Sequence, residues 1–231
     1  MTKSAVYCMT RNIYHTVIPS LKSLLKNGHI DKVYMVIEDD DIGIQLPEWA
    51  NVEFINVRDQ KYFGKDCPNI ACKWTYMVLM RTVLADLLPN EEKVLSLDCD
   101  TLVMGNVSRL WDLDLGDNYL AACREPAKSW RHHDYVNCGV VFWNLKQMRD
   151  GMMDKIVNAL NSNSYMFAEQ DCVNEFCAEK MLLLPADYNV CRFTDRPEYT
   201  RIRHFAAQPT WWDSEPEVFY YKKIPWEACK T

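Results

Sequence analysis

The chain has 231 residues, of which 48% are hydrophobic and 12% aromatic, and its formal net charge is −6. A chain of this length and apolar content can bury one sizeable core, which favours a single domain over residues 1–231. The acidic balance argues against nucleic acid as a partner and against an anionic membrane surface, because both attract positively charged proteins. No apolar stretch approaches the roughly 20 residues that cross a bilayer, so we expect no integral membrane segment.

Ten cysteines could indicate a disulfide framework, but their spacing shows neither a CxxC pair nor a zinc-type Cys/His array. Several of them lie within apolar runs, where a free thiol packs as a small hydrophobic side chain. The chain starts directly on a strand-like segment, and no signal peptide is visible. We therefore expect reduced thiols and a cytoplasmic location.

Strand-like and helical segments alternate along the first hundred residues. Short apolar runs predict strands at 4–9, 32–37, 52–57 and 93–97. Apolar residues at helical spacing predict helices at 14–25, closed by Asn27-Gly28, and at about 71–88. This alternation is typical of an open α/β sheet, and the uninterrupted apolar run at 93–97 is typical of a parallel strand.

The second half of the chain is less regular. Its patterns predict strands at 119–123 and 140–143, helices at 147–161 and 170–179, and an aromatic, loop-like segment over the last thirty residues. We find no internal repeat, low-complexity stretch or linker. One α/β domain is therefore the simplest prediction, with a C-terminal part that folds back over the sheet.

Two carboxylates directly follow the predicted strand at 93–97. Asp98 and Asp100 are separated by one residue, and ligands of open parallel sheets bind at the carboxyl ends of the strands. If the strand breaks here, both carboxylates can face one divalent cation, and Mg²⁺ and Mn²⁺ prefer such oxygen ligands. For the pair alone, the alternative is an Asp-rich turn held by Asx hydrogen bonds. The position after a buried strand favours the cation site.

Several further motifs follow one another in an order that is typical of one enzyme family. They are TRNIY at 10–14, DCD at 98–100, YVNCGVVFWNL at 135–145, EQD at 169–171 followed by Asn174, LP at 184–185 with YN at 188–189, and IRHF at 202–205. On these motifs the chain resembles glycosyltransferase family 8, the glycogenin and bacterial lipopolysaccharide galactosyltransferase group, over residues 4–212.

The resemblance implies a GT-A fold. In that fold a Rossmann-like open mixed sheet carries helices on both faces, and the C-terminal part closes over the active site. The nucleotide-binding half would be about 1–100, and the sugar and acceptor half about 101–231.

The resemblance also implies roles for residues of the first half. Thr10 and Asn12 would contact the nucleoside, and Tyr14 would stack on uracil, since an aromatic face suits a planar base. Arg81, 17 positions before Asp98, is similar to a family arginine that contacts the donor sugar and diphosphate. Without the family pattern, an exposed or salt-bridged helix arginine would be the better interpretation.

In the second half the implied residues contact the sugar and the metal ion. Asn137 would hydrogen-bond the donor sugar, and Gly139 would allow close backbone approach. His204, within IRHF, would be the third protein ligand of the metal beside Asp98 and Asp100. A lone histidine after an apolar residue is usually structural, so this role depends on the pair of aspartates upstream.

Three positions depart from the family pattern. Gln208 stands where a lysine normally neutralises the leaving diphosphate, although Arg201, Arg203 or Lys222-Lys223 could substitute for it. Glu125 and Glu169 each replace an aspartate of the sugar site. A longer carboxylate moves its oxygens by about one C–C bond, which is enough to change sugar preference or slow the reaction.

The implied function is a metal-dependent, retaining hexosyltransferase. Its donor would be a UDP-sugar, UDP-glucose or UDP-galactose, its cofactor Mn²⁺ or Mg²⁺, and its acceptor a saccharide, glycolipid or glycoprotein. Retention comes from the family and from no spacing in this chain. Glu169 and Gln170 are the candidate catalytic residues. Because an amide is a poor nucleophile, we favour same-face attack with Gln170 as a stabilising dipole over a covalent intermediate on Gln170.

Two other functions were weighed against this one. A sugar-1-phosphate nucleotidyltransferase would need a Gly-rich basic loop near the first strand, but residues 1–27 contain no glycine. A non-catalytic nucleotide-sugar-binding relative is the remaining alternative; Gln208 favours it, and the three intact metal ligands oppose it. The transferred sugar, the acceptor, the linkage and a homodimer are left open.

Overall fold

The computed structural model describes residues 2–71, 75–126, 134–192, 194, 197–206 and 209–230. Its strands, in chain order, are β1 (Ser4–Cys8), β2 (Lys32–Ile37), β3 (Val52–Asn56), β4 (Lys93–Leu97), β5 (Thr101–Val103), β6 (Leu120–Arg124), β7 (Val136–Asn144), β8 (Met181–Leu183) and β9 (Ile202–His204).

The α-helices of these ranges are α1 (Tyr14–Asn27), α2 (Leu84–Leu87), α3 (Leu145–Met148), α4 (Met152–Ser162), α5 (Ala168–Cys177), α6 (Pro209–Ser214) and α7 (Pro216–Lys223). Short 3-10 helices cover Arg11–Ile13, Glu48–Ala50, Tyr76–Val83, Ser108–Asp112, Ala178–Lys180, Ala186–Tyr188 and Trp226–Cys229. None of these helices is both long and apolar enough to cross a bilayer.

The main sheet has the strand order β3-β2-β1-β4-β7-β6-β8. Its pairings are parallel except for those of β7, which runs antiparallel to β4 and β6. The chain moves outward from β1 to β3 on one side and then returns to β4 on the other side of β1. The strand order therefore switches between β1 and β4, and ligands of open α/β sheets bind at the carboxyl ends of the strands at such a point.

Alternate residues of the central strands face two separate cores, as the two-residue repeat of a strand requires. On one face, Val6 and Trp143 pack in a cluster that includes buried residues of α4 and α5. On the other face, Tyr7 and Phe142 pack in a cluster that includes buried residues of α1. The predicted open mixed sheet with helices on both faces is confirmed.

The C-terminal part folds back onto the first helix. β9 pairs with β5 in a separate two-stranded sheet, and residues of β5 and α7 share a small core with Phe205 and Trp212. Lys22 of α1 donates to the Ile224 carbonyl at 2.7 Å, and Asn27 donates to the Tyr221 hydroxyl at 2.7 Å. These contacts anchor the C-terminal segment on α1.

The predicted strands of the first half agree with the structure to within one residue at their ends. The single helix predicted at about 71–88 is wrong: Tyr76–Val83 is a 3-10 helix, Leu84–Leu87 is α-helical, and 72–74 lie outside the described residues. Apolar residues at i and i+3 lie on one side of both helix types, so the spacing does not distinguish them.

Two further predictions in the second half are wrong. The helix predicted at 147–161 is split into α3 and α4 at Gly151, which adopts a φ of +88°. The last thirty residues are not loop-like, since they contain α7 and the 3-10 helix Trp226–Cys229. The apolar face of α7 consists of Val218 and Tyr221 alone, which is too short a pattern to stand out in the sequence.

Replacing Gly151 with alanine tests the break between α3 and α4. No atom lies within 4 Å of the added Cβ, so the cost comes from the left-handed backbone alone, and we expect a loss of about 1 kcal/mol in the free energy of unfolding. Gly64→Ala is the matched control, because its Cβ also meets open space and its φ is not positive. Denaturant unfolding should show no loss for Gly64→Ala, and equal effects at both positions would contradict this reading of Gly151.

Candidate metal centre and its surroundings

The pairing of β5 with β9 brings the end of the chain to the loop after β4. Thr101 is the register partner of His204, and the Phe205 N–H donates to the Asp100 carbonyl at 2.9 Å. As a result His204 Nε2 lies 3.4 Å from Asp98 Oδ2 and 3.5 Å from Asp100 Oδ1. The structure thus brings together all three residues that the sequence proposes as metal ligands.

These three side chains offer a donor set that fits a divalent cation. One ligand atom from each of Asp98, Asp100 and His204 lies within 4.8 Å of the others. Two ligands at right angles, each about 2.2 Å from an ion, are about 3.1 Å apart, so the observed spacing needs little adjustment. Two carboxylate oxygens and one imidazole nitrogen are all ligand atoms that divalent cations take in proteins.

Gly139 of β7 lies directly against this donor set. A Cβ at this position would lie 2.1 Å from His204 Cε1 and 2.8 Å from Asp98 Oδ2. The Asp98 N–H donates to the Gly139 carbonyl at 2.7 Å, which fixes the end of β4 against β7. The missing side chain at Gly139 therefore makes room for two of the three candidate metal ligands.

Arg81 lies buried beside the same site, with 4% of its side chain exposed. Its guanidinium donates to the Cys138 carbonyl and to the Asp98 carboxylate, and its Nε lies 3.5 Å from Glu169 Oε1. Of the alternative interpretation, this excludes an exposed arginine and agrees with a salt-bridged one. Burial alone would raise the pKa of Asp98, but Arg81 and His204 hold that pKa well below its usual range.

Glu169 is shifted in the opposite direction. Burial raises the pKa of Glu169 from 4.5 to about 7, because Arg81 offsets only part of the desolvation and the Asp98 carboxylate adds to it. Two carboxylates share one guanidinium here, and Asp98 has the closer contact. Near neutral pH, Glu169 is therefore the member of this cluster that exchanges a proton.

Gln170 is tied to β7 by both ends of its amide. Its Oε1 accepts from the Cys138 N–H at 2.9 Å, and its Nε2 donates to the Tyr135 hydroxyl at 3.2 Å. Ala168, two residues before Gln170, has a φ of +42°, which is unusual for a residue with a side chain. This backbone turn and the two hydrogen bonds fix Gln170 beside the candidate metal centre.

Asn137 connects the metal centre to Glu125. Its Nδ2 donates to Glu125 Oε2 at 2.8 Å, and its Oδ1 accepts from the Gly139 N–H at 2.9 Å. The same Oδ1 accepts from Asn189 Nδ2 at 2.9 Å, and Asn189 Oδ1 lies 3.0 Å from His204 Nδ1. Sequence reasoning gave Asn189 no role, although the YN motif at 188–189 marked its position.

The residues proposed to contact the nucleoside lie at the carboxyl end of β1. A cavity of about 430 Å³ is lined here by Arg11, Asn12, Tyr14, Ile42, Gly43 and Ile44. Tyr14 is 41% exposed. Thr10 does not line this cavity but donates its hydroxyl hydrogen to Asn12 Oδ1. Since β1 is next to β4 in the sheet, the cavity and the metal centre share one edge.

The lysine position of the family pattern falls on Gln208, which lies outside the described residues. Three of the four basic residues considered as substitutes are paired with a carboxylate, and the fourth, Lys223, lies over the Phe219 ring. These pairs are Arg201 with Asp187, Arg203 with Glu215 and Lys222 with Asp213. Within the described ranges, each of the three is already engaged.

Comparison with known proteins finds matches that extend along most of the chain. The sequence model of "Glycosyl transferase family 8" matches residues 5–210. The "Lipopolysaccharide 1,2-glucosyltransferase" of Escherichia coli K12 is 25% identical, over 97% of this chain and 79% of its own length. The chain spans little more than a third of the length of the first curated relatives that it matches.

Solved structures give the same result for the fold. The glycosyltransferase GlyE of Streptococcus pneumoniae TIGR4 superposes with a TM-score of 0.75 at 20% identity, over 99% of this chain and 62% of that one. The galactosyltransferase LgtC, in complex with donor and acceptor sugar analogs, superposes with a TM-score of 0.72 at 18% identity, over 98% and 95%. The fold is the GT-A fold expected from the sequence.

The variant Gly139→Ala tests the close approach at the metal centre. Because the new Cβ would overlap His204 and Asp98, we expect a loss of about 1–3 kcal/mol in the free energy of unfolding. We also expect loss of Mn²⁺ binding, read by electron paramagnetic resonance of the free ion. A stable variant that binds Mn²⁺ as the wild type does would contradict the crowding described here.

The raised pKa of Glu169 predicts a pH-dependent stability. A carboxyl group with a native pKa above its unfolded value keeps its proton longer when folded, so stability falls as pH rises from about 4.5 to about 7. The slope can reach about 1.4 kcal/mol per pH unit. Glu169→Gln should remove this contribution, so that the difference between wild type and variant changes with pH in denaturant unfolding.

Glu179→Gln is the control for this measurement, because it removes a carboxylate from an exposed position of the chain. It should keep the wild-type dependence on pH. If Glu169→Gln and Glu179→Gln follow the wild type equally between pH 4.5 and 7, the raised pKa of Glu169 is wrong.

Proposed function

The chain belongs to glycosyl transferase family 8, and from this premise we propose that it transfers a hexose from a UDP-sugar to a hydroxyl acceptor with retention of configuration. The observation that carries the proposal is the convergence of Asp98, Asp100 and His204 at the strand switch point. UDP-glucose or UDP-galactose is the proposed donor. A saccharide, alone or on a glycolipid or glycoprotein, is the proposed acceptor.

The hexose assignment is supported by the relatives. One relative along nearly the whole chain is named as a glucosyltransferase, and one structure with the same fold is a galactosyltransferase bound to donor and acceptor sugar analogs. The described cysteines are free thiols, which agrees with a reaction in the cytoplasm, where we place it.

The edge formed by β1 and β4 suits a nucleoside diphosphate. Tyr14 offers an exposed ring face at the cavity, on which the base can stack, and Asn12 offers polar atoms to the nucleoside, with Thr10 bound to it. A Mn²⁺ or Mg²⁺ ion held by Asp98, Asp100 and His204 would stabilise the charge of the leaving diphosphate. Arg81 orients Asp98 for that role and places one positive charge beneath the site.

The sugar end of the donor would lie near the residues of β7 and α5. Asn137 and Glu125 present a joined amide and carboxylate, which suit sugar hydroxyls. Gln170, fixed by the Cys138 N–H, offers a dipole to the positive charge that develops at the anomeric carbon. Glu169, the residue before Gln170, pairs with Arg81, and burial raises its pKa to about 7.

A second candidate function is nucleotide-sugar binding without turnover. The observation in its favour is that Gln208 replaces the family lysine, while Arg201, Arg203 and Lys222 already pair with carboxylates. Binding of the donor with Mn²⁺ and no release of sugar, even with acceptors present, would support this candidate.

The proposed function is tested with a panel of UDP-, GDP- and ADP-sugars, with and without Mn²⁺. The measured quantities are the stabilisation of the protein and the hydrolysis of each nucleotide sugar. We expect UDP-hexoses with Mn²⁺ to stabilise the protein by about 2.7 kcal/mol at a hundred times the Kd, and to be slowly hydrolysed. Asp100→Ala should abolish the metal-dependent part of both effects. Asp154→Ala, which removes an exposed carboxylate of α4, should leave both unchanged.

Three outcomes would contradict the proposal. The first is that no nucleotide sugar stabilises the protein with Mn²⁺ present. The second is that Asp100→Ala keeps full metal-dependent activity. The third concerns stereochemistry alone. If the anomeric proton in the NMR spectrum shows that the product has the opposite configuration to the donor, retention is excluded.

A further inference from the structure

We propose that Asn189 is a positioning residue that fixes which nitrogen of His204 carries a proton and joins the candidate metal centre to Asn137. The inference rests on the proposed function and deepens it, because it concerns the same metal ligand. Asn189 is 2% exposed, and its side chain lies between His204 and Asn137.

Backbone pairing holds Asn189 in this place. The residue directly follows the 3-10 helix Ala186–Tyr188, and the chain then runs beside β9. The Val190 N–H donates to the Ile202 carbonyl at 2.9 Å, and the His204 N–H donates to the Val190 carbonyl at 3.0 Å. The segment that carries Asn189 is thus pinned to the strand that carries His204.

Asn137 and Asn189 form a series of hydrogen bonds that ends at His204. The groups that contact Asn137 determine which atom donates and which accepts in this series. The backbone N–H of Gly139 can only donate, so the atom of Asn137 at 2.9 Å from it must be the oxygen Oδ1. The nitrogen Nδ2 of Asn137 then faces Glu125 Oε2 at 2.8 Å, and an ionised carboxylate can only accept. Both contacts require the same orientation of the Asn137 amide.

This orientation determines the next amide in turn. Since Asn137 presents its oxygen, Asn189 must present its nitrogen, and Asn189 Nδ2 donates to Asn137 Oδ1 at 2.9 Å. The oxygen of Asn189 is thereby directed at His204 Nδ1, 3.0 Å away. A flipped Asn189 amide would set two oxygens against each other in a buried place and leave both without a donor.

The imidazole of His204 must therefore carry a proton at Nδ1. Metal binding requires the neutral imidazole, which has one N–H, so a proton at Nδ1 leaves the lone pair at Nε2 for the ion. Nε2 is the atom that lies 3.4 Å from Asp98 and 3.5 Å from Asp100. Asn189 thus selects the form of His204 whose free nitrogen points into the candidate metal centre.

One chain of hydrogen bonds now joins the metal ligand to the pair Asn137–Glu125, which we propose to contact the sugar. Rotation of the Asn137 amide would remove the acceptor of Asn189, and Asn189 would then lose its fixed orientation towards His204. Partners that orient a ligating histidine typically change metal affinity 10- to 100-fold when they are removed.

Two variants of Asn189 separate its two hydrogen bonds. Asn189→Asp keeps an oxygen facing His204 Nδ1 but sets its second oxygen against Asn137 Oδ1 in place of the donor, whereas Asn189→Leu loses both hydrogen bonds. With Mn²⁺ alone, measured by electron paramagnetic resonance of the free ion, we expect Asn189→Leu to bind about 10- to 100-fold more weakly. Asn189→Asp should bind at least as tightly as the wild type.

Asn69→Leu is the matched control. Asn69 is also 2% exposed, and its amide bonds Leu160, Asn163 and Tyr165, which are not part of the site. This variant should lower the Tm as Asn189→Leu does, while its Mn²⁺ affinity stays at the wild-type value. It therefore separates a general loss of packing from a change at His204.

The outcomes distinguish this inference from the proposed function. If the wild type binds Mn²⁺ and Asn189→Leu binds it equally well, the role of Asn189 is overturned and the proposed function stands. Equal weakening in Asn189→Asp and Asn189→Leu would also overturn it, because the retained oxygen should preserve Nε2 as a ligand. If the wild type binds no Mn²⁺, the metal site fails, and the inference fails with it.

Discussion

The candidate site depends on one short pairing, that of β5 with β9. β5 starts one residue after Asp100, and its partner strand ends on His204. The N–H of Phe205 bonds back to the Asp100 carbonyl, so the register of this small sheet and the geometry of the metal centre are the same constraint. The C-terminal segment that follows β9 is in turn held on α1 by Lys22 and Asn27.

Charge pairing explains how the carboxylates beside the metal centre are tolerated in the interior. Arg81 is buried between Asp98 and Glu169, and a buried charge persists only when it is paired and hydrogen-bonded. With one guanidinium for two carboxylates, burial raises the pKa of Glu169 to about 7, while Asp98 stays ionised. The cluster thus keeps Asp98 negative, as a metal ligand requires, while the pKa of Glu169 is raised.

Much of the fold could be predicted from local patterns. The strand at 32–37 and the strand at 93–97 agree with β2 and β4 at both ends, because each is a continuous apolar run in a sheet buried on both faces. The segment 76–87 was assigned the wrong helix type, since its apolar spacing suits both types. β5, β8 and β9 have three residues each, which is too short for periodicity to show.

By itself, the sequence determined the order of the elements, the family and the residue types of the candidate site. Asp98 and Asp100 could be found because they directly follow a buried strand. Only the tertiary structure decided how residues far apart in the sequence meet. It brings His204 next to Asp100 and places Arg81 between Asp98 and Glu169. It also sets the hydrogen bond from Asn189 to Asn137. Local patterns record which face of an element is buried, but the direction of a hydrogen bond between distant side chains is set by the packing that joins them.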